Sequence, residues 1–203
     1  MGTLVMKFGG TSLGSVEAVD QAASIIMEGN REWEHLIVVV SAMSSTTDAL
    51  THGALTSASG DGRTYHSVYQ DLESRHSRVV EMLVSPEKER KRLLAVVDGF
   101  LKEFVALCHS VHVLGEVTPR AMDAITSLGE RINARILAAV LRGRGCEAEA
   151  VDATELIITD GKFQNAAPLM YETRGRISER LTPLLGDEKV PIVTGFIGAT
   201  KEG

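Results

Sequence analysis

Cysteine is scarce in this chain: Cys108 and Cys146 are the only two in 203 residues. Two are too few for a disulfide framework, and the expectation is a protein of a reducing cytoplasm. Basic excess is also missing. Lys and Arg number 21 against 27 Asp and Glu, for a formal net charge of −6. That balance argues against non-specific nucleic-acid binding, which needs a basic face. No long apolar run occurs either; runs such as Leu36-Ile-Val-Val-Val40 fall far short of a membrane span. The first residues lack the charged, apolar and small-residue pattern of a secretory leader. Internal repeats and low-complexity tracts are absent too. His109 and His112 lie beside Cys108 but have no partner cluster at zinc-binding spacing, so they read as ordinary helical histidines and no metal site is expected. What remains is an ordinary globular composition, 44% hydrophobic and 24% charged, with ample chain for one substantial core.

The hydrophobic pattern alternates between two periods. Leu4–Phe8 reads as a strand ending at Gly9-Gly10, and Val16 to Glu28 as an amphipathic helix stopped by Gly29-Asn30. Leu36–Val40 is an all-apolar, β-branched strand of the kind covered on both faces. Strand, helix, strand within about forty residues is a βαβ unit, which predicts a parallel sheet. Ser44–Thr47 reads as a polar loop entering a helix that has Asp48 near its start, and Ser57 to Arg63 as a flexible link. From Tyr65 to Leu114 the pattern is helical, broken at Ser85-Pro86, where Ser85 suits an N-cap and Pro86 a first helical residue. A helix near Leu128 to Leu141, strands at Ala148–Val151 and Val190–Thr194, and a Pro168-to-Leu185 helix between those strands complete the pattern. The fold class is α/β, a mostly parallel sheet with helices on both faces and a helical insertion at about 64–119.

Three places carry candidate chemistry. In a parallel sheet, ligands bind beyond the carboxyl ends of the strands. Lys7-Phe8-Gly9-Gly10-Thr11-Ser12 lies at such an end. Gly9 and Gly10 let backbone amides approach an anion, Thr11 and Ser12 add hydroxyls, and Lys7 supplies a compact positive charge. The lysine precedes the glycines, so this is not the Walker arrangement. A plain glycine turn with a solvated lysine explains the spacing equally well. Ser41, Thr46 and Thr47 follow the second strand, where they could share a rim with Lys7 or simply cap a helix; capping is the expectation for Thr46. Ser127-Leu-Gly-Glu130-Arg131 has the spacing of a capping box at a helix start. The same Glu130 could receive a substrate ammonium group, and spacing does not separate the two.

Together these segments resemble the aspartokinases of the amino-acid kinase superfamily. Lys7–Ser12 is similar to that family's opening signature. The likeness continues through Val38-Val39-Val40-Ser41-Ala42-Met43, Thr46-Thr47-Asp48, Gly129-Glu130-Arg131 and Gly195-Phe196-Ile197-Gly198, in the family's order. The helical stretch between Thr64 and Pro119 is similar to the longer insertion of lysine-sensitive and bifunctional members. The resemblance implies ATP-dependent phosphorylation of the β-carboxylate of L-aspartate, with Mg²⁺ entering as the ATP complex. It assigns the catalytic role to Lys7, phosphate binding to Lys7, Gly9, Gly10, Thr11, Ser12 and Ser41, and aspartate binding to Thr47, Glu130 and Phe196. It implies a homo-oligomeric parent, and neither a nucleic acid nor a membrane as partner.

One departure accompanies the likeness. Aspartokinases continue past the Gly-Phe-Ile-Gly turn into a Gly-Arg-Gly-Gly-Ser-Asp segment, a nucleotide-binding half and regulatory ACT domains. Here the sequence runs only five residues beyond Gly198. The expectation is an amino-acid-binding lobe with little kinase activity by itself. Two alternatives stand beside it: a superfamily kinase for acetylglutamate, glutamate or UMP, and a non-catalytic module for ligand binding or dimerisation.

Overall fold

Leu36, Val38 and Val40 alternate with Ile37 and Val39 along the second strand, and the alternation sorts them into two cores. The computed structural model describes residues 2–202. Its sheet contains β1 (Thr3–Phe8), β2 (His35–Val40), β3 (Ala148–Val151) and β4 (Val190–Thr194), in spatial order β1-β2-β4-β3. All three pairings are parallel. Six helices cover it: α1 (Val16–Glu32), α2 (Thr46–Ala58), α3 (Thr64–Leu83), α4 (Glu87–Leu114), α5 (Pro119–Gly143) and α6 (Met170–Gly186).

The large core lies on the face that holds Leu36, Val38 and Val40, where it joins side chains of α1 to α5. The second face is smaller. There Ile37, Val39 and Val193 pack with Val151, Leu181 and Leu184, so α6 closes that side. Helices on both faces of a parallel sheet match the expected class. β1 is covered less completely: Leu4, Met6 and Phe8 pack on the large core, while Val5 and Lys7 on its other face are exposed.

The insertion is α3 and α4, and it is not an appendage. Leu72, Val79, Val80, Val97, Leu101 and Phe104 are buried in the same core as the sheet. Phe104 packs against Gly53 of α2 so closely that a Cβ there would overlap its ring. Among the described residues, no helix is long and apolar enough to cross a membrane.

Four local expectations are corrected. Gly29 does not stop α1. The helix runs on to Glu32, and Gly29 is buried where α1 crosses β1, packed against the end of the Met6 side chain. Ser57 belongs to α2 and bonds the Gly53 carbonyl, and the link after it is a tight turn. In that turn the Asp61 carboxylate accepts from the Arg63 and Thr64 amides. Pro86, not Ser85, occupies the N-cap position of α4. Finally, α5 begins at Pro119, with the Thr118 hydroxyl accepting from the Ala121 amide at 3.2 Å. Ser127 is therefore mid-helix, bonded to the Ala124 carbonyl, and the capping-box reading of Glu130 falls.

Candidate functional site at the carboxyl edge of the sheet

Parallel strands end on a common edge, and here the register aligns three of them. Phe8 pairs with Val40, and Val40 pairs with Thr194. The residues just beyond are tied together. The Ser41 amide donates to the Phe8 carbonyl at 3.1 Å, and the Gly195 amide donates to the Val40 carbonyl at 2.8 Å. Lys7, Ser41 and Phe196 thus share one rim. The Lys7 Nζ lies 5.6 Å from the centre of the Phe196 ring. Phe196 is 90% exposed and has φ 56°, a left-handed conformation that a bulky residue rarely adopts. That outlier marks the turn as a candidate site in its own right.

Gly9 faces open space, whereas Gly10 is pressed against the loop after β2. A Cβ on Gly10 would come 3.0 Å from the Ala42 carbonyl oxygen, and the Ser44 amide donates to the Gly10 carbonyl at 3.1 Å. Thr11 and Ser12 are exposed in a 3₁₀ turn, Gly10–Leu13. This turn stands between the glycines and α1, whose first turn is capped separately by Ser15. The start of α1 is thus set apart from Gly9 and Gly10 by this turn.

From the other side comes α5. Gly129 touches the same loop: a Cβ there would meet Ala42 Cβ at 2.7 Å and Thr46 Cγ2 at 3.1 Å. Because the helix can approach this closely, Glu130 is delivered to the loop and is 7% exposed. Burial pushes its carboxyl above the ordinary glutamate range, opposed by the backbone amides of Glu130 itself and Ala42. Among the described residues, no cation offsets this burial. One turn on, buried Asn133 donates from Nδ2 to the Ser41 carbonyl at 2.6 Å.

The α2 start differs from expectation. Ser45 is the N-cap residue, with φ 62° and no side-chain capping bond. Thr46 is not the cap: it is fully buried, and its Oγ1 has no partner. Thr47 is exposed and free to face a ligand. So Lys7, Gly9, Gly10, Ser41 and Phe196 lie along the strand ends, while Thr47 and Glu130 join them through the Ala42–Thr46 loop.

Three features were not anticipated from sequence. Asn133 is the first. Arg75 of α3 is the second, donating to the Ser44 carbonyl. The third is a knot on the flank. Asp152, just after β3, accepts from Arg135 at 2.8 Å and from Arg131 at 3.2 Å, and both guanidiniums lie over the Phe100 ring at 4.9 and 4.8 Å. Burial works to raise the Asp152 carboxyl, yet Arg135 and then Arg131 outweigh it, and the net shift is downward. A cavity of about 510 Å³ opens beside the knot, lined by Arg131, Asp152, Thr154, Arg176, Ile197 and Lys201 among others. Among the described residues, no group of three or more His, Cys, Asp or Glu could hold a metal ion.

Residues 2–203 match the family model described as "Amino acid kinase family". The chain is 28% identical over 215 residues to an aspartokinase of Schizosaccharomyces pombe, covering 100% of this chain and 40% of that protein. It is 34% identical over 201 residues to aspartokinase 3, chloroplastic, of Arabidopsis thaliana, covering 97% of this chain and 34% of that one. The chain therefore spans well under half the length of these relatives. Its fold superposes on Escherichia coli aspartokinase III in complex with aspartate and ADP, with a TM-score of 0.86 at 24% identity, over 100% of this chain and 42% of that one.

Proposed function

The chain belongs to the amino acid kinase family, and on that premise we propose that residues 2–202 form the amino-acid-binding lobe of an aspartate kinase. The reaction is transfer of the γ-phosphoryl group of ATP to the β-carboxylate of L-aspartate. One observation carries the reading: Glu130 is a buried carboxylate with no cationic partner among the described residues, on the same rim as the exposed Lys7. Burying a carboxylate without a counter-charge is costly. An amino acid that brings its ammonium to Glu130, beside an ATP whose γ-phosphoryl group lies at Lys7, satisfies both ends. The curated relatives are aspartokinases, which supports aspartate as that substrate.

In this mechanism, a β-carboxylate oxygen attacks the γ-phosphorus. The new O–P bond forms as the bond from phosphorus to the β,γ-bridging oxygen breaks, and ADP leaves with that electron pair. No proton is transferred. Catalysis then consists of positioning and charge stabilisation. Lys7 stabilises the charge spread over the transferring group, and the amides of Gly9 and Gly10 with the hydroxyls of Thr11, Ser12 and Ser41 receive phosphate oxygens. Thr47 holds the amino acid, Glu130 takes its α-ammonium, and Phe196 walls the pocket. Mg²⁺ enters as part of the ATP substrate complex.

The remaining nucleotide contacts belong, in this proposal, to segments of the kind the longer relatives possess. A homo-oligomeric parent and a cytoplasmic setting go with the reading; both cysteines are free and buried. The test is a titration of the 203-residue polypeptide with L-aspartate in a thermal-shift assay, since a ligand that binds only the folded state raises its stability. Stabilisation by aspartate, without ATP turnover, is expected. Stabilisation by acetylglutamate or UMP instead overturns the assignment.

A further inference from the structure

The loop between β2 and α2, residues 41–45, carries Ser41 and leads into Thr47, yet side chains from elsewhere hold it. Ser45 has φ 62°, a strained conformation for a non-glycine residue that persists only when the surroundings hold it. Two distant side chains bond the backbone on its N-terminal side. Asn133 of α5 donates to the Ser41 carbonyl at 2.6 Å, and Arg75 of α3 donates to the Ser44 carbonyl, immediately before the strained residue. Arg75 also pairs with Asp71, one turn back, at 3.5 Å.

Neither bond is explained by burial alone. Ser44 is only half-buried, so water could satisfy its carbonyl, and exchanging water for Arg75 brings little net stability. Asn133 is buried with its Oδ1 unpartnered, so its amide is held in place through Nδ2 on the Ser41 carbonyl. What the two donors share is their target: carbonyls at either end of the segment that places Ser41 and Thr47.

We propose that Arg75 and Asn133 are positioning residues for the amino-acid site, with Arg75 acting from the helical insertion. The inference rests on the aspartate kinase reading above. It gives α3 a role beyond core packing: the helix sets the geometry of the substrate loop.

The test uses the full-length enzyme with Arg75→Met, Arg75→Lys and Asn133→Asp. Two readouts are taken: the KM for aspartate against the KM for ATP, and amide hydrogen exchange over residues 44–47. Arg75→Met and Asn133→Asp are expected to raise the aspartate KM about tenfold and leave the ATP KM within about twofold, in line with one lost charge-assisted or neutral bond. Exchange in the loop accelerates in both. Arg75→Lys, which retains a donor, recovers most of the aspartate KM. Unchanged aspartate KM overturns the proposal, whether or not exchange changes, and so does loss of folded protein in all three variants. If the wild-type enzyme phosphorylates no aspartate, the functional reading fails separately. Unchanged loop exchange then overturns the clamp, and faster exchange retains it.

Discussion

Lys7 and Phe196 come from opposite ends of the chain and meet across the end of β2, with Nζ 5.6 Å from the ring centre. The contact exists because the strand order puts β2 between β1 and β4, so the residue before one strand end and the turn after the other overhang the same Ser41. An exposed cation over an aromatic face is worth only about 0.5–1 kcal/mol. Its value is geometric, because it points the lysine along the rim.

Lys7→Ala should therefore act on chemistry and spare the fold. The full-length enzyme is expected to lose about 10²- to 10³-fold in kcat, the cost of removing one preorganised charge from a transition state. Its unfolding temperature should stay within about 2 °C, since Lys7 is exposed. Lys7→Arg keeps the charge but not the compact ammonium, and recovers only part of the rate. Steady-state kinetics with differential scanning calorimetry checks all three.

Glu130→Gln should do the opposite to stability. Burial raises the carboxyl, so its ionised form is disfavoured in the folded state. Stability linked to this group is present at low pH and is lost as pH rises through the elevated value. The glutamine variant is accordingly more heat-stable than wild type at pH 7, and the gain fades as pH falls through the raised value toward the ordinary glutamate range. Its aspartate KM rises roughly ten- to hundredfold, as expected for losing a charge-assisted bond. A thermal melt series across pH, set beside the kinetics, reads both.

Gly129→Ala tests why a glycine precedes that glutamate. The added methyl would stand 2.7 Å from Ala42 Cβ, so α5 or the substrate loop must move. About 1–3 kcal/mol of stability should be lost by overpacking, and the aspartate KM should rise more than the ATP KM. Urea unfolding with paired KM measurements decides it.

His76 supplies a pH dependence unrelated to catalysis. It is fully buried in α3, its Nδ1 against the Leu72 carbonyl at 2.6 Å and its Nε2 without a partner. Burial pushes the imidazole down to about 4. The unfolded chain binds a proton that the folded chain refuses between roughly pH 6.5 and 4. Stability is then complete above about pH 6.5 and declines as pH falls, by on the order of 3 kcal/mol at the lower end. Urea midpoints at pH 7.5, 6 and 5 should fall for wild type more steeply than for His76→Gln.

Much of this was legible in the sequence because it is written locally. Leu36–Val40 and Val190–Thr194 are apolar runs that only a covered strand explains, and the Gly9-Gly10 pair marks the turn after β1. Helix ends were less legible, for a physical reason. Gly29 carries the signature of a stop but serves a crossing contact with Met6, and Ser127-x-x-Glu130 has capping-box spacing inside a helix begun earlier by Thr118-Pro119. Arg75 and Asn133 had no local signal at all. Each addresses a backbone carbonyl far away in the chain, and a carbonyl has no side-chain identity to betray its partner.

The most direct measurement is hydroxylamine trapping of the product formed by the full-length enzyme from ATP, Mg²⁺ and L-aspartate, for wild type, Lys7→Ala and Glu130→Gln. Aspartyl hydroxamate from wild type, reduced about 10²-fold or more by Lys7→Ala and restored at high aspartate in Glu130→Gln, is the predicted result. A trapped product that forms from glutamate or acetylglutamate but not aspartate, or a Lys7→Ala enzyme as fast as wild type, would contradict it.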